Sequence, residues 1–329
     1  MSVLLKTLGG AVGVGASALA YAALIERNWF ALREASVPVL PPGSSPVRIL
    51  QVSDLHLTPG QERKIGWVRA LANLQPDFVI NSGDNLSHLE AVPGLLRAME
   101  PLLEFPGAFV LGSNDYYAPV LKNPALYLTS RYARVEHERP LLPTQSLVDG
   151  LTGGGWRDLN NARSRVSVAG VPLEFVGVND PHIELDRYAA VAGPAAEDVA
   201  LTIGLVHAPY QRVLDAMVAD GAGLVIAGHT HGGQLRVPGY GALVTNCDLD
   251  RRRASGLSRW WPGAGGAGSA GGAQAPYVGD PRAVAPSSQA PPDAAWLHVS
   301  AGLGTSRFAP VRFACRPEAT LLTLVATEP

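Results

Sequence analysis

Val47-Arg48-Ile49-Leu50-Gln51-Val52-Ser53-Asp54-Leu55-His56 is a short β-rich apolar run that stops on an aspartate and a histidine. The same pattern then repeats. Ile65, Val68, Leu71 and Leu74 are spaced by three, as on one face of a helix, and Pro76-Asp77 ends that helix. Phe78-Val79-Ile80 is the next strand, ending at Ser82-Gly83-Asp84-Asn85. A second helical pattern carries Leu95, Leu96, Met99 and Leu103, and Ala108-Phe109-Val110-Leu111 is a third strand, ending at Gly112-Ser113-Asn114-Asp115. Strand, helix, strand, helix, strand in this order predicts an α/β domain with a largely parallel, buried sheet.

Farther along, strands are expected at 167–169, 173–178, 202–206 and 224–227, with a helix over 212–219. The third of these strands leads into His207-Ala208-Pro209, and the last into Gly228-His229-Thr230-His231. From about 251 to 294 the composition shifts to Ala, Gly, Ser and Pro, fronted by Arg251-Arg252-Arg253 and Trp260-Trp261. Such a stretch cannot build a packed core and reads as a disordered, solvated insert. Strand patterns return at 296–300 and 320–325.

The N-terminus reads differently. Thr7 to Ile25 carries no charge, with Lys6 before it and Glu26-Arg27 after it. At about 1.5 Å per residue it would make a helix roughly 28 Å long, near the thickness of a bilayer core. The run is expected to be a membrane anchor or a signal, cleavable at Ala18-Leu19-Ala20 in the second case. A short positive leader puts the body of the chain outside the cytoplasm. Trp29-Phe30 suits the headgroup interface, and Pro38, Pro41 and Pro42 make a stiff spacer. Residues 1–45 thus read as anchor or signal and linker, and 46–329 as the functional domain.

Bulk numbers exclude some classes. The formal net charge of −2 gives no electrostatic case for a nucleic-acid partner. Two cysteines, Cys247 and Cys315, are too few for a disulfide framework or a cysteine zinc site, although one disulfide between them is open.

Oxygen and nitrogen ligands cluster at the strand ends. Residues two apart in an extended chain point the same way, so Asp54 with His56, and His229 with His231, can each aim at one point. Asp84, Asn114 and His207 follow neighbouring strands, and open sheets bind ligands at the carboxyl ends of their strands. Taken singly, each aspartate reads as a cap and each histidine as structural. Four of the eight histidines nevertheless fall at these few positions. Mixed carboxylate, amide and imidazole ligands suit Mn, Fe or Zn, and a carboxylate such as Asp84 can bridge two ions about 3.5–4 Å apart. His88, His137, His182 and His298 read as structural; His182 is a candidate for a substrate contact.

The order Asp-x-His, Gly-Asp-Asn, Gly-x-Asn-Asp, His, Gly-His-x-His resembles the calcineurin-like metallophosphoesterases, in particular a bacterial membrane-associated branch. The resemblance runs from about Arg48 to Leu324, with Gly302-Leu303-Gly304-Thr305 and Arg312 included. It implies a four-layer α/β/β/α sandwich, with Asp54, His56, Asp84 and His231 around one metal. It also implies Asp84, an asparagine, His207 and His229 around the other, and attack on phosphorus by a hydroxide bridging the two. The substrate class would be a phosphodiester, phosphomonoester or pyrophosphate, such as a lipid or envelope precursor. One motif departs: the family has Gly-Asn-His-Asp where this chain has Gly112-Ser113-Asn114-Asp115. Either Ser113 stands at the ligand position or the loop shifts and Asn114 is the ligand, with Asp115 beside it as a catalytic-site residue. The histidine that would protonate the leaving group is absent in both alignments, a role worth roughly 10²–10⁴-fold. The competing function is a metal-binding scaffold or sensor at the membrane with little turnover.

Overall fold

A computed structural model describes residues 13–121, 139–265 and 290–328. Two six-stranded sheets carry the fold. The first contains β1 (Ala31–Leu40), β2 (Val47–Val52), β3 (Phe78–Asn81), β4 (Gly107–Phe109), β5 (Arg157–Asp158) and β14 (Glu318–Ala326), in the order β1-β14-β2-β3-β4-β5. The second contains β6 (Ala162–Val168), β7 (Val171–Gly177), β8 (Leu201–Val206), β9 (Leu224–Ala227), β12 (Gly256–Trp260) and β13 (Ala295–Val299), in the order β12-β13-β9-β8-β7-β6. A short ribbon, β10 (Arg236–Val237) with β11 (Gly241–Ala242), stands apart. The expected parallel pairing holds from β2 to β5 and across β7, β8, β9 and β13. Strand β14 enters antiparallel to β2, and β6 and β12 close the second sheet antiparallel.

Apart from residues 13–20 (α1), the helices are α2 (Glu62–Ala70), α3 (Val92–Met99), α4 (Ser113–Tyr116), α5 (Thr144–Gly153) and α6 (Gln211–Ala219). Three apolar layers explain the stacking. Ile65, Val68, Leu95, Met99, Leu147 and Leu151 of α2, α3 and α5 pack on the outer face of the first sheet. Val213, Leu214 and Met217 of α6 pack on the outer face of the second. Between the sheets lie Ile49, Phe78 and Ile80 from one side and Phe175, Ile203 and Ile226 from the other. Helix, sheet, sheet, helix is thus the order of layers. Phe78 and Phe175, both fully buried, stack at 4.8 Å across the inner layer. Phe78→Ala is expected to cost about 3–5 kcal/mol, read as a lower urea midpoint at unchanged slope.

Two segments differ from the sequence expectation. The stretch read as a spacer is an edge strand: β1 pairs parallel with β14, and Arg33 bonds Glu318 at 3.2 Å. Pro38 is tolerated there because an edge strand has one unpaired side. The front of the insert is also ordered. Trp260 is fully buried in β12 and donates from Nε1 to Asp215 at 2.9 Å, while Arg253 is buried beside its ring. Its composition is poor in core residues, but pairing with β13 supplies the burial. The centre of the insert, 266–289, lies outside the described residues.

The uncharged run also begins outside them. From residue 13, α1 passes into Tyr21–Ile25, and just after the run comes Glu26–Asn28, where Glu26 is buried, accepting from the amides of Ala314 and Cys315. Among the described residues no helix is long and apolar enough to cross a membrane. Cys247 and Cys315 are free thiols.

Candidate metal centre

The two sheets meet so that five strand ends converge. Asp54 and His56 follow β2, Asp84 follows β3, and Ser113 to Asp115 follow β4, all from the first sheet. His207 follows β8, and His229 with His231 follow β9, from the second. The site therefore spans the seam between two sheets.

Two tight groups of ligand atoms result: Asp54, His56 and His231, and Asp54, Asp84 and His207, all buried, with the atoms of each group within 4.8 Å of one another. Asp54 belongs to both groups. Asp84 also faces both ways, its Oδ2 3.4 Å from His56 Nε2 and its Oδ1 3.5 Å from His207 Nε2. His229 belongs to neither tight group, but its ring lies 5.2 Å from that of His207.

The backbone brings these groups together by a route that period-two alternation does not describe. Asp54, His56, Asp84, His229 and His231 all have positive φ, between 42° and 70°. The pairs at 54/56 and 229/231 thus converge through tight left-handed turns and not through an extended chain. Non-glycine residues rarely adopt this conformation, and clusters of it mark functional sites. Glycine makes the close approach possible. A Cβ on Gly112 would lie 2.6 Å from His207 Nε2.

The hydrogen bonds assign the ring nitrogens. His207 donates from Nδ1 to the Ser82 carbonyl at 2.7 Å, and its Nε2 is buried with no hydrogen-bond partner. A buried imidazole nitrogen facing two carboxylates in this way fits a divalent cation. His229 donates from Nε2 to the Asn246 carbonyl at 3.1 Å, which leaves Nδ1 for a ligand. His56 Nε2 and His231 Nε2 approach to 3.1 Å, a spacing suited to two imidazoles on one ion at about 2.0–2.1 Å. Arg312 Nη2 lies 3.3 Å from His231 Nδ1, so ligation through Nε2 requires that ring to move its proton to Nδ1 and loosen from the guanidinium.

Asn114 contacts Asp84 through two donors. Its backbone amide donates to Asp84 Oδ1 and its Nδ2 to Asp84 Oδ2, both at 2.7 Å. Its Oδ1 accepts from Arg139 at 3.2 Å. Asp115 is fully buried and accepts from the amides of Asp84, Asn85 and Gly112 at 2.8–3.0 Å, so it shapes the ligand loop from behind. Ser113 is buried in the same turn. His298 bonds Gln51 deep in the core, as its structural reading implies, whereas His137 lies outside the described residues. His182 bonds Tyr210 at 3.0 Å and its ring lies 4.6 Å from that of His229.

A cavity of about 490 Å³ opens over these groups. Its polar lining includes His56, Asp84, Asn114 and His182. Its apolar lining includes Leu19, Val120, Leu235, Phe308 and Val311. Sequence reasoning missed Arg139, which is the only arginine or lysine among the described residues lining this cavity.

In the metal-free protein, burial and the neighbouring Asp84 charge raise the Asp54 carboxyl to about 6, against the lowering pull of His207. Burial lowers His56 to about 4. Burial also opposes charge on His207, but Asp84 overrides it and holds that ring well above its usual value. A folded Asp54 that binds its proton more tightly than the unfolded one makes the metal-free protein lose stability as pH rises from about 4 to about 6. Ions compete with those protons. The rise in melting temperature on adding Mn²⁺ is therefore expected to be larger at about pH 7.5 than at about pH 5; equal rises would contradict this ligand set.

Residues 47–233 match the family model described as calcineurin-like phosphoesterase. An uncharacterized metallophosphoesterase of Bacillus subtilis (strain 168), YkuE, is 24% identical over 98% of this chain and 96% of its own. A transmembrane protein with metallophosphoesterase domain of Bos taurus is 26% identical over 66% of this chain, which spans about half (48%) of that relative's length. The crystal structure of TT1561 of Thermus thermophilus aligns over 79% of this chain and 91% of its own at 12% identity, with a TM-score of 0.37, too low to carry an argument.

Proposed function

Since this chain belongs to the calcineurin-like phosphoesterase family, we propose that it hydrolyses phosphate esters with two divalent ions, Mn, Fe or Zn, held between its two sheets. The observation that carries this is Asp84, whose two oxygens face His56 on one side and His207 on the other. Asp54, His56, Asp84 and His231 would hold one ion; Asp84, His207 and His229 would hold the second. Bound there, the ions would supply Lewis-acid charge and bring the pKa of bound water to about 7. The chain's own work is positioning. Buried carboxylates and singly committed imidazoles keep the ligand atoms within reach, and Asp115 ties the turns that carry Asp84 and Gly112.

The substrate we infer is a phosphodiester or pyrophosphate with one apolar arm, such as a lipid-linked precursor. Support comes from the apolar residues that line the cavity and from the exposed Val14, Leu19, Leu24, Ile25 and Trp29 of the N-terminal segment. The same residues support attachment of this segment to a membrane, with the domain on the extracytoplasmic side as the sequence flanks suggest. No nucleic-acid partner is proposed.

The test uses purified protein stripped of metal and resupplied with Mn²⁺, Fe²⁺ or Zn²⁺. It is assayed on a bis-aryl phosphodiester, an aryl phosphomonoester and a pyrophosphate diester, with and without a long alkyl arm. Hydrolysis that a chelator abolishes, and that an alkyl arm favours, is expected. Folded protein that binds metal and cleaves none of them would establish the scaffold reading instead.

A further inference from the structure

We propose that Asn114 holds the bridging carboxylate and does not ligate an ion, and that Arg139 is the positioning residue that fixes it. This rests on the two-ion reading above and assigns which residue of the divergent turn does what. Asn114 caps both oxygens of Asp84, one with its backbone amide and one with Nδ2. Turning the side-chain amide over would set its oxygen against the Asp84 carboxylate and its NH₂ against the Arg139 guanidinium. Both contacts would then be repulsive, so the two neighbours together fix a single orientation. In that orientation the amide oxygen points to a full positive charge, and a divalent ion at the same oxygen would be repelled by it.

Arg139 is itself held. Its Nε donates to the Ala118 carbonyl at 3.1 Å and its Nη2 to the Tyr117 carbonyl at 3.0 Å, and its guanidinium lies 5.4 Å from the centre of the Tyr117 ring. A chain of hydrogen bonds therefore runs from two backbone carbonyls through Arg139 and Asn114 to Asp84. Partners that orient a ligand in this way typically change metal affinity by 10–100-fold when removed. The position that carries a proton-donating histidine in the resemblance thus carries a carboxylate holder here.

Mn²⁺ binding to the full chain, by equilibrium dialysis, tests this in wild type, Asn114→Ala, Arg139→Met, Arg139→Lys and the Asn114→Ala/Arg139→Met double variant. Wild type is expected to bind two ions. Both single truncations are expected to keep two ions with affinity weakened about 10–100-fold, the double variant to be no weaker than the worse single, and Arg139→Lys to recover part of the loss. Asn114→Ala binding only one ion while Arg139→Met binds like wild type would overturn the proposal and make Asn114 a ligand. Wild type binding fewer than two ions would bring down the two-ion reading and this proposal with it. Far-UV circular dichroism of each variant identifies loss of fold, and should Arg139→Met unfold, the comparison of Asn114→Ala with Arg139→Lys decides.

Discussion

Asp84→Asn is expected to lower metal-dependent hydrolysis of a bis-aryl phosphodiester by at least about 10³-fold, roughly 4 kcal/mol of barrier, while the fold survives. The substitution keeps the shape of a buried side chain and removes the negative charge between His56 and His207. It also sets an NH₂ donor against either the backbone N–H or the Nδ2 of Asn114, both of which donate to this carboxylate. One of those two bonds must break. Asp84 faces both halves of the site with its two oxygens, so on the two-ion reading its loss would affect both ions, whereas a terminal ligand such as His229 would affect one. Retention of more than a tenth of wild-type activity by the folded variant would remove Asp84 from its bridging role.

Arg312→Met is expected to destabilise the protein by roughly 3–5 kcal/mol, and to weaken metal binding as a secondary effect. Arg312 is fully buried. Its guanidinium donates to the carbonyls of Ala301 and Gly304 at 2.6 Å and of Gly302 at 3.0 Å, with longer contacts to Cys315 and His231. Methionine fills part of the space but takes away the donor to the Ala301 and Gly304 carbonyls, each costing about 1–3 kcal/mol before relaxation, whereas the Gly302 carbonyl keeps the amide of Glu318. The loop released is the one that packs on the metal centre. Gly302, at φ +67°, lies so close to Asp54 that a Cβ there would meet the Asp54 Cβ at 2.5 Å. Urea unfolding reads the effect as a lower midpoint. A shift under about 1 kcal/mol would mean that water or a rearranged loop satisfies those carbonyls.

What the sequence makes legible follows from how local each signal is. Strands at 47–52, 78–81, 201–206 and 224–227 are mostly apolar and buried almost throughout, and the candidate ligands follow their ends. Strand β1 carries Arg33, Glu34 and Pro38 and becomes a strand only by pairing with a partner almost three hundred residues away. Strand β12 starts in a Gly- and Ser-rich stretch whose burial depends on β13. The candidate ligand types are legible because Asp and His recur at the ends of these strands, where the structure brings Asp54, His56, Asp84, His207 and His231 together. Ligand geometry is not, since Asp54, His56, Asp84, His229 and His231 adopt positive φ, which the local sequence of non-glycine residues does not favour. The roles of Asn114 and Arg139 depend on a contact between residues 25 positions apart, for which the sequence carries no periodic signal.

A pair of ions bridged by Asp84 is the centre of the proposed chemistry. Crystals soaked in Mn²⁺ and measured at the manganese absorption edge test it most directly. Two anomalous peaks about 3.5–4 Å apart are expected, one beside His56 and His231 and one beside His207 and His229, with the Asp84 carboxylate between them. A single peak at saturating Mn²⁺, or two peaks with Asp84 in contact with neither, would contradict it.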